Sequence, residues 1–174
     1  AFAVPLLAFV VPDATSTQAR ADEDPPPLTV RVKARDGVEL ATDVYLPLGE
    51  GPRGSILCRT PYGRKNHEKP ARAALAAGYA VVVQDDRGRF DSDGDKLPFS
   101  GSGWGERGDD GADTVAWIRG QGWSNAKVAT FGPSALGIVQ NFTAAARPEG
   151  LVAQWIEVAA ASLYEDATYQ GGIW

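Results

Sequence analysis

Apolar and polar positions along the first third of this chain alternate in the manner of paired strands. Residues 28–34 read Leu-Thr-Val-Arg-Val-Lys-Ala, which places apolar side chains on one face of a strand. Asp36-Gly37 follows and is typical of a hairpin turn, and residues 38–46 return as a second strand. The folded part of the chain is therefore predicted to begin with an antiparallel pair.

The pattern then changes to apolar runs that alternate with amphipathic segments. Strands are predicted at 55–59, 79–84 and 127–131, where the runs are short and continuous as in strands buried on both faces. Helices are predicted at 69–77, 109–119 and 138–146, the first with Pro70 at its opening position and Gly78 at its end. One more apolar run covers 151–159. This succession predicts an α/β fold with a mostly parallel sheet and helices on both faces.

Three loops should meet at the carboxyl edge of that sheet, where α/β proteins place their active groups. They are residues 60–63, the polar and glycine-rich stretch 85–107, and 132–137. The last reads Gly132-Pro133-Ser134-Ala135-Leu136-Gly137 between a strand and a helix, which is the setting of a nucleophile elbow. Such a corner lifts the hydroxyl of Ser134 from the sheet and directs the Ala135 N–H toward a developing oxyanion. The second glycine comes one residue later than in G-x-S-x-G.

Composition narrows the class of protein. The chain has 174 residues, 44% hydrophobic and 22% charged, which suits one globular domain with a hydrophobic core, taken as residues 28–174. Its net charge of −5 argues against a nucleic-acid partner. The lone cysteine, Cys58, cannot form an internal disulfide and is predicted to be a buried small hydrophobe.

The first 27 residues differ from the rest. Residues 1–11 are almost all apolar, Ala19-Arg20-Ala21 resembles a signal-peptidase site, and an acidic, proline-rich stretch follows. We interpret residues 1–27 as part of a signal peptide and a linker, too short to span a bilayer, so the protein should be secreted or periplasmic and free of the membrane once the signal is removed. A disordered apolar tail is the alternative.

Ser134 would need a base to take its proton and an acid to orient that base. The only histidine, His67, precedes the serine, whereas α/β-hydrolases place it after the serine and the acid; a solvated histidine is favoured for it. Glu157 is not assigned a triad role. Tyr62 could donate its hydroxyl to an oxyanion or simply pack on its loop. Aspartates 91, 93 and 95 do not complete a calcium loop, so no metal or cofactor is predicted.

Several segments together resemble the Xaa-Pro dipeptidyl-peptidase and cocaine-esterase family of serine hydrolases. They are Arg59-Thr60-Pro61-Tyr62, the run from Gln84 to Phe90, Gly94-Asp95, the elbow, the opening hairpin, and Trp117-Ile118. The resemblance implies the N-terminal part of an α/β-hydrolase domain. It places the nucleophile on Ser134 and the oxyanion hole on the Tyr62 hydroxyl and the Ala135 amide. Ala135 stands where the family usually has tyrosine. The triad acid and histidine, a helical cap and a C-terminal jelly roll are expected beyond residue 174.

The sequence thus predicts a serine hydrolase of small esters, amides or peptides that forms an acyl-enzyme on Ser134. The 174 residues alone should be nearly inactive and should expose apolar surface at the sheet edge. A degenerate, non-catalytic α/β-hydrolase domain used for binding or assembly is the rival interpretation. Ester, amino acid ester and Xaa-Pro peptide substrates all remain open, as does the oligomeric state.

Overall fold

A single six-stranded sheet organises the protein, as seen in a computed structural model that describes residues 25–99 and 109–169. The strands lie in the order β1-β2-β4-β3-β5-β6. Their bounds are β1 Leu28–Lys33, β2 Glu39–Tyr45, β3 Arg53–Thr60, β4 Ala80–Asp85, β5 Ser124–Pro133 and β6 Leu151–Glu157. β1 pairs antiparallel with β2 and β2 with β4, while the other three pairings are parallel. The predicted α/β architecture is confirmed.

Three α-helices connect the parallel strands. They are α1 Glu68–Ala76, α2 Asp110–Arg119 and α3 Ala135–Ala145; a 3-10 turn, Arg64–His67, precedes α1, and a π-helical turn, Leu163–Thr168, follows β6. Pro70 is the third residue of α1, not the first as predicted; its missing N–H costs nothing there because the first four amides of a helix have no intrahelical acceptor. Asp109 caps α2 by accepting from the Ala112 N–H at 3.2 Å.

The core has two layers, one on each face of the sheet. α1 buries Ala71 and Leu75 against a cluster that includes Cys58 and Val83. On the opposite face, α2 buries Val115 and Ile118; the cluster there also contains Leu57, Val82 and Val128. Strand residues alternate between the two clusters, as the two-residue period of a strand requires. Burial raises the pKa of the Cys58 thiol to about 12, so Cys58 is the buried small hydrophobe that was predicted.

The parallel strands bring three loops to one edge of the sheet. β3 ends at Thr60, β4 at Asp85 and β5 at Pro133, and the strands run in the same direction. The loops that follow them therefore meet, as expected. Residues 100–108 of the second loop lie outside the described residues.

The sheet is incompletely covered at its β6 edge. On and just beyond the edge strand β6, Val152, Trp155 and Val158 are 61%, 62% and 91% exposed, which is the predicted exposed apolar surface. No helix in the described part of the chain is long and apolar enough to cross a bilayer. Most of the predicted signal-peptide segment, residues 1–24, lies outside the described residues.

Candidate active site

Ser134 occupies a strained corner between β5 and α3. Its backbone has φ 54° and ψ −124°, in a region that side-chain-bearing residues rarely adopt and that costs roughly 1–3 kcal/mol. The surrounding hydrogen bonds enforce it: the Ser134 N–H donates to the Glu157 carbonyl at 2.9 Å, and the Ser134 carbonyl accepts from Gly137 at 2.8 Å and Ile138 at 3.0 Å. The residue is exposed. The corner therefore holds the hydroxyl clear of the sheet.

Two glycines make this corner possible. Gly132 has φ +151°, and a Cβ added there would lie 2.4 Å from the Leu136 Cβ. A Cβ on Gly137 would lie 2.5 Å from the Ala159 Cβ, in the segment that follows β6. Real Cβ atoms do not approach this closely, so both positions require glycine. Gly137, the second glycine of the motif, thus allows α3 to pack closely against the segment that follows β6.

Tyr62 and Ala135 line one cleft of about 340 Å³, together with Asp86, Arg87, Arg89 and Phe99. Ala135 is the first residue of α3, and its N–H donates to no acceptor within the described residues, as is usual at a helix N-terminus. Tyr62 is 51% exposed, so it is not packed away on its loop. The Thr60 hydroxyl accepts from the Tyr62 N–H at 3.0 Å, which fixes the turn. The two residues that carry the predicted oxyanion donors thus line the same cleft, whereas the adjacent Ser134 is not among its lining residues.

His67 is engaged elsewhere. Its Nε2 lies 2.9 Å from the Thr60 hydroxyl, and its ring is half-buried rather than solvated as predicted. The ring lines a second, apolar cavity of about 520 Å³, which Phe131 and Trp155 also line. Burial lowers the pKa of His67 despite the nearby charge of Asp85. His67 does not line the cleft with Tyr62 and Ala135.

Buried ion pairs hold the loops at this edge of the sheet. Arg64, only 5% exposed, places its guanidinium 2.5 Å from Asp85 Oδ2, 2.8 Å from Asp91 Oδ2 and 3.0 Å from Asp43 Oδ1. Its backbone N–H donates to Asp85 Oδ1 at 2.6 Å. One arginine therefore ties together β2, the end of β4 and the loop after it. We call these four residues the Arg64 network.

A second arginine, Arg87, also ties the loop after β4 to neighbouring elements. Arg87 donates to both carboxylate oxygens of Asp36, at 2.6 and 3.1 Å, and to both of Asp110, at 2.6 and 3.1 Å. The hydrogen bonds from Arg87 hold the pKa of Asp36 below its usual range. The charges of the 85–95 segment pair mainly with residues of other elements, and these pairs hold the loop at the strand ends.

Asp86 differs from its neighbours and was not singled out by the sequence. It is 6% exposed, yet its Oδ1 has no hydrogen-bond partner in the described structure. Its nearest countercharge is the Arg59 Nη2, at 3.5 Å, which lies equally far from Asp110. Burial, with Asp110 and Asp85 nearby, raises the pKa of Asp86 against the pull of Arg59 and Arg89. The doubled aspartate at a strand end was the only signal available.

The described residues contain no group of three or more histidine, cysteine, aspartate or glutamate side chains arranged to hold a metal ion. The described residues bring together an exposed serine on a strained corner, a cleft lined by Tyr62 and Ala135, and a buried carboxylate on the wall of that cleft.

Comparison with known proteins adds to this geometry. Residues 36–174 match the model of the X-Pro dipeptidyl-peptidase (S15) family. The chain is 36% identical over 149 residues to cocaine esterase from Rhodococcus sp. (strain MB1 Bresler), a match that covers 82% of this chain and 25% of the esterase.

Solved structures agree on the fold. An α-amino acid ester hydrolase superposes with a TM-score of 0.72 at 24% identity, over 95% of this chain and 30% of its own. A CocE/NonD family hydrolase from Staphylococcus aureus gives 0.69 at 22% identity, over 84% of this chain and 29% of its own. The chain thus spans between a quarter and a third of the length of these relatives.

Proposed function

Because this chain belongs to the X-Pro dipeptidyl-peptidase (S15) family, we propose that it carries the nucleophile and the oxyanion hole of a serine hydrolase that cleaves esters or amides. The observation that carries the proposal is the strained, exposed corner at Ser134. Strain of this kind persists only where surrounding structure enforces it, and it is concentrated at functional sites. Both the hydrogen bond from Ser134 to the Glu157 carbonyl and the close packing around Gly132 and Gly137 maintain it.

In the proposed reaction the Ser134 Oγ attacks the carbonyl carbon of the substrate while a base takes its proton. The carbonyl oxygen becomes an oxyanion, which accepts hydrogen bonds from the Tyr62 hydroxyl and the Ala135 N–H. The bond to the leaving group breaks, the base returns the proton to it, and an acyl-enzyme remains on Ser134. Water then attacks the acyl carbonyl and regenerates the serine. The Ala135 N–H suits this role because Ala135 lines the cleft and its N–H has no acceptor in the described structure.

We propose that the base and its acid lie in a segment of the full-length protein that corresponds to the part of the relatives outside the match. His67 is the only histidine in the sequence, and it is bound to Thr60 beside a separate apolar cavity. If the base lies elsewhere in the protein, the 174 residues alone should hydrolyse esters only very slowly. The relatives act on a cocaine ester, X-Pro peptides and α-amino acid esters according to their names. We propose a substrate within this range of acyl compounds.

The proposal is tested by labelling the full-length protein that carries this sequence with a fluorophosphonate, which reacts with activated serines. Mass spectrometry of a digest should locate the phosphonyl group on the peptide that contains Ser134, and Ser134→Ala should abolish the label. Ser162, which caps a turn by accepting from the Glu165 N–H, provides a matched control, since Ser162→Ala should label normally. Absence of the label from the wild-type protein, with the fold intact, would favour the non-catalytic interpretation.

A further inference from the structure

A chain of two hydrogen bonds links His67 to the turn that carries Tyr62. The Nε2 atom of His67 lies 2.9 Å from the Thr60 hydroxyl oxygen, and the same oxygen accepts from the Tyr62 N–H at 3.0 Å. Thr60 is the last residue of β3 and is fully buried, and its carbonyl accepts from the Asp86 N–H at 2.9 Å. His67 thus reaches Tyr62 through one hydroxyl that is anchored at the end of a central strand.

The Thr60 hydroxyl determines which role His67 plays in this chain. A buried hydroxyl needs an acceptor for its proton, and within the described structure His67 Nε2 is the only acceptor in hydrogen-bond contact with it. The hydroxyl therefore donates to Nε2, and the ring carries its own proton on Nδ1. Only a neutral imidazole can accept in this way. Burial lowers the pKa of His67 against the charge of Asp85, so the ring is neutral at and above neutral pH.

The position of Tyr62 depends on this turn, because its side chain has no polar anchor of its own. The side chain is 51% exposed, and its hydroxyl forms no hydrogen bond in the described part of the chain. The backbone fixes the residue instead: Thr60 accepts from its N–H, and the Asn66 side-chain amide donates to its carbonyl at 2.7 Å. Asn66 and His67 are neighbours on the 3-10 turn. This short turn therefore supports Tyr62 both directly and through Thr60.

We propose that His67 is a positioning residue: as a neutral acceptor it orients the Thr60 hydroxyl, which holds Tyr62 where its phenol can donate to the oxyanion. The proposal rests on the proposed function in one respect, that Tyr62 is an oxyanion donor. His67 does not line the cleft with Tyr62 and Ala135, so it acts on the reaction only through the turn. An oxyanion donor is effective only when it is preorganised, and a misplacement of about 1 Å can lower a rate roughly 10²-fold.

The test is a double-mutant cycle on ester hydrolysis by the full-length protein, with competent active sites counted by fluorophosphonate labelling of Ser134. His67→Leu removes the acceptor and should lower kcat by roughly 10- to 100-fold, with KM within about twofold. In the Tyr62→Phe background, which lacks the donor hydroxyl, the same change should lower kcat by less than about twofold. His67→Gln places an uncharged acceptor near the position of Nε2 and should keep kcat within about threefold of the wild-type value.

Thr60 provides a second arm that leaves the His67 side chain in place. Thr60→Val removes the hydroxyl and the control Thr60→Ser retains it, so only Thr60→Val should reproduce the loss of kcat and its dependence on the Tyr62 hydroxyl. An equal loss from His67→Leu in both backgrounds, a normal kcat in His67→Leu or Thr60→Val, or a kcat for His67→Gln as low as that for His67→Leu would each overturn the proposal.

Failure of the proposed function gives a different result. Ser134 would stay unlabelled in the wild-type protein, or Tyr62→Phe would hydrolyse the ester at the wild-type rate. Either result would also overturn the role of His67, which would then have no oxyanion donor to position. A labelled Ser134 and a slow Tyr62→Phe, together with an equal effect of His67→Leu in both backgrounds, would overturn the role of His67 alone.

Discussion

Two groups of charges lie side by side at the end of β4, and they differ in how closely the opposite charges approach each other. In the Arg64 network every carboxylate faces the guanidinium at 2.5–3.0 Å. On the wall of the cleft, one residue further along the chain, Asp86 has only a shared countercharge at 3.5 Å. The first arrangement holds loops in place. The second lies on the wall of the cleft that Ala135 and Tyr62 also line. Residues adjacent in sequence thus differ in how fully the folded chain compensates their charge.

The largest effect is expected from removing the centre of the satisfied group. Arg64→Ala leaves Asp85 and Asp43 buried without their countercharge, which should lower the free energy of unfolding by about 3–5 kcal/mol. Urea titration followed by circular dichroism measures the change. Arg72→Ala is the control: its ion pair with Glu68 is partly exposed, and its guanidinium also lies 5.9 Å from the centre of the Tyr45 ring, so the loss should stay below about 2 kcal/mol. Similar losses in both variants would contradict the distinction.

Tyr62→Phe should affect rate and not stability, the reverse of Arg64→Ala. Loss of one oxyanion donor typically lowers kcat by roughly 10²- to 10³-fold, and the exposed hydroxyl of Tyr62 has no structural hydrogen bond in the described structure. Hydrolysis of a chromogenic ester by the full-length protein measures the rate. Tyr79→Phe is the matched control: this exposed tyrosine lies at the opposite end of β4 and should leave kcat unchanged. A Tyr62 variant with normal kcat would remove Tyr62 from the oxyanion hole.

Asp86→Asn should stabilise the protein by about 0.5–2 kcal/mol at neutral pH, because it removes a poorly compensated buried charge. The pKa of Asp86 is raised in the folded state, so the folded protein binds the proton more tightly than the unfolded chain does. The free energy of unfolding of the wild-type protein therefore falls relative to that of the variant as the pH rises from the pKa of an aspartate in the unfolded chain, about 3.9, through the raised pKa of Asp86 in the folded protein. Thermal denaturation of both proteins from pH 4 to pH 8 should show the gap widening with pH. A gap that narrows would show that Asp86 is stabilised as the anion.

The smallest effect on stability is expected from Arg89→Gln. Arg89 forms no ion pair or side-chain hydrogen bond in the described structure, so the free energy of unfolding should change by less than about 0.5 kcal/mol. The same denaturant titration measures it. A loss above 2 kcal/mol would mean that Arg89 belongs with the structural arginines and not with the cleft.

The sequence predicted the fold well, because each strand and helix carried its own local signal. The hairpin, the three strand–helix alternations and the corner at Ser134 follow from hydrophobic periodicity and glycine placement. The shared cleft of Tyr62 and Ala135 followed from the rule that parallel strands end at one edge. Export of the protein stays a prediction, since its signal lies outside the described residues.

What the sequence could not supply was the partner of each charge. Arg64 and Arg87 are bound by acids from distant elements, 21 and 51 positions away for Asp85 and Asp36. Such pairings depend on tertiary contacts that no local pattern encodes. For the same reason the sequence did not single out Asp86, whose Oδ1 lacks a hydrogen-bond partner in the described structure. His67 was predicted to be solvated because its contact with Thr60 forms only when the turn after β3 folds.

The most direct test of the central claim is to trap the acyl-enzyme itself. The full-length protein is mixed with a chromogenic ester, quenched in acid within the first turnovers, and analysed by intact-protein and peptide mass spectrometry. A mass increase of one acyl group is expected on the peptide containing Ser134, and it should be absent from Ser134→Ala. Rapid hydrolysis by Ser134→Ala, or an acyl group located on any other side chain, would contradict it.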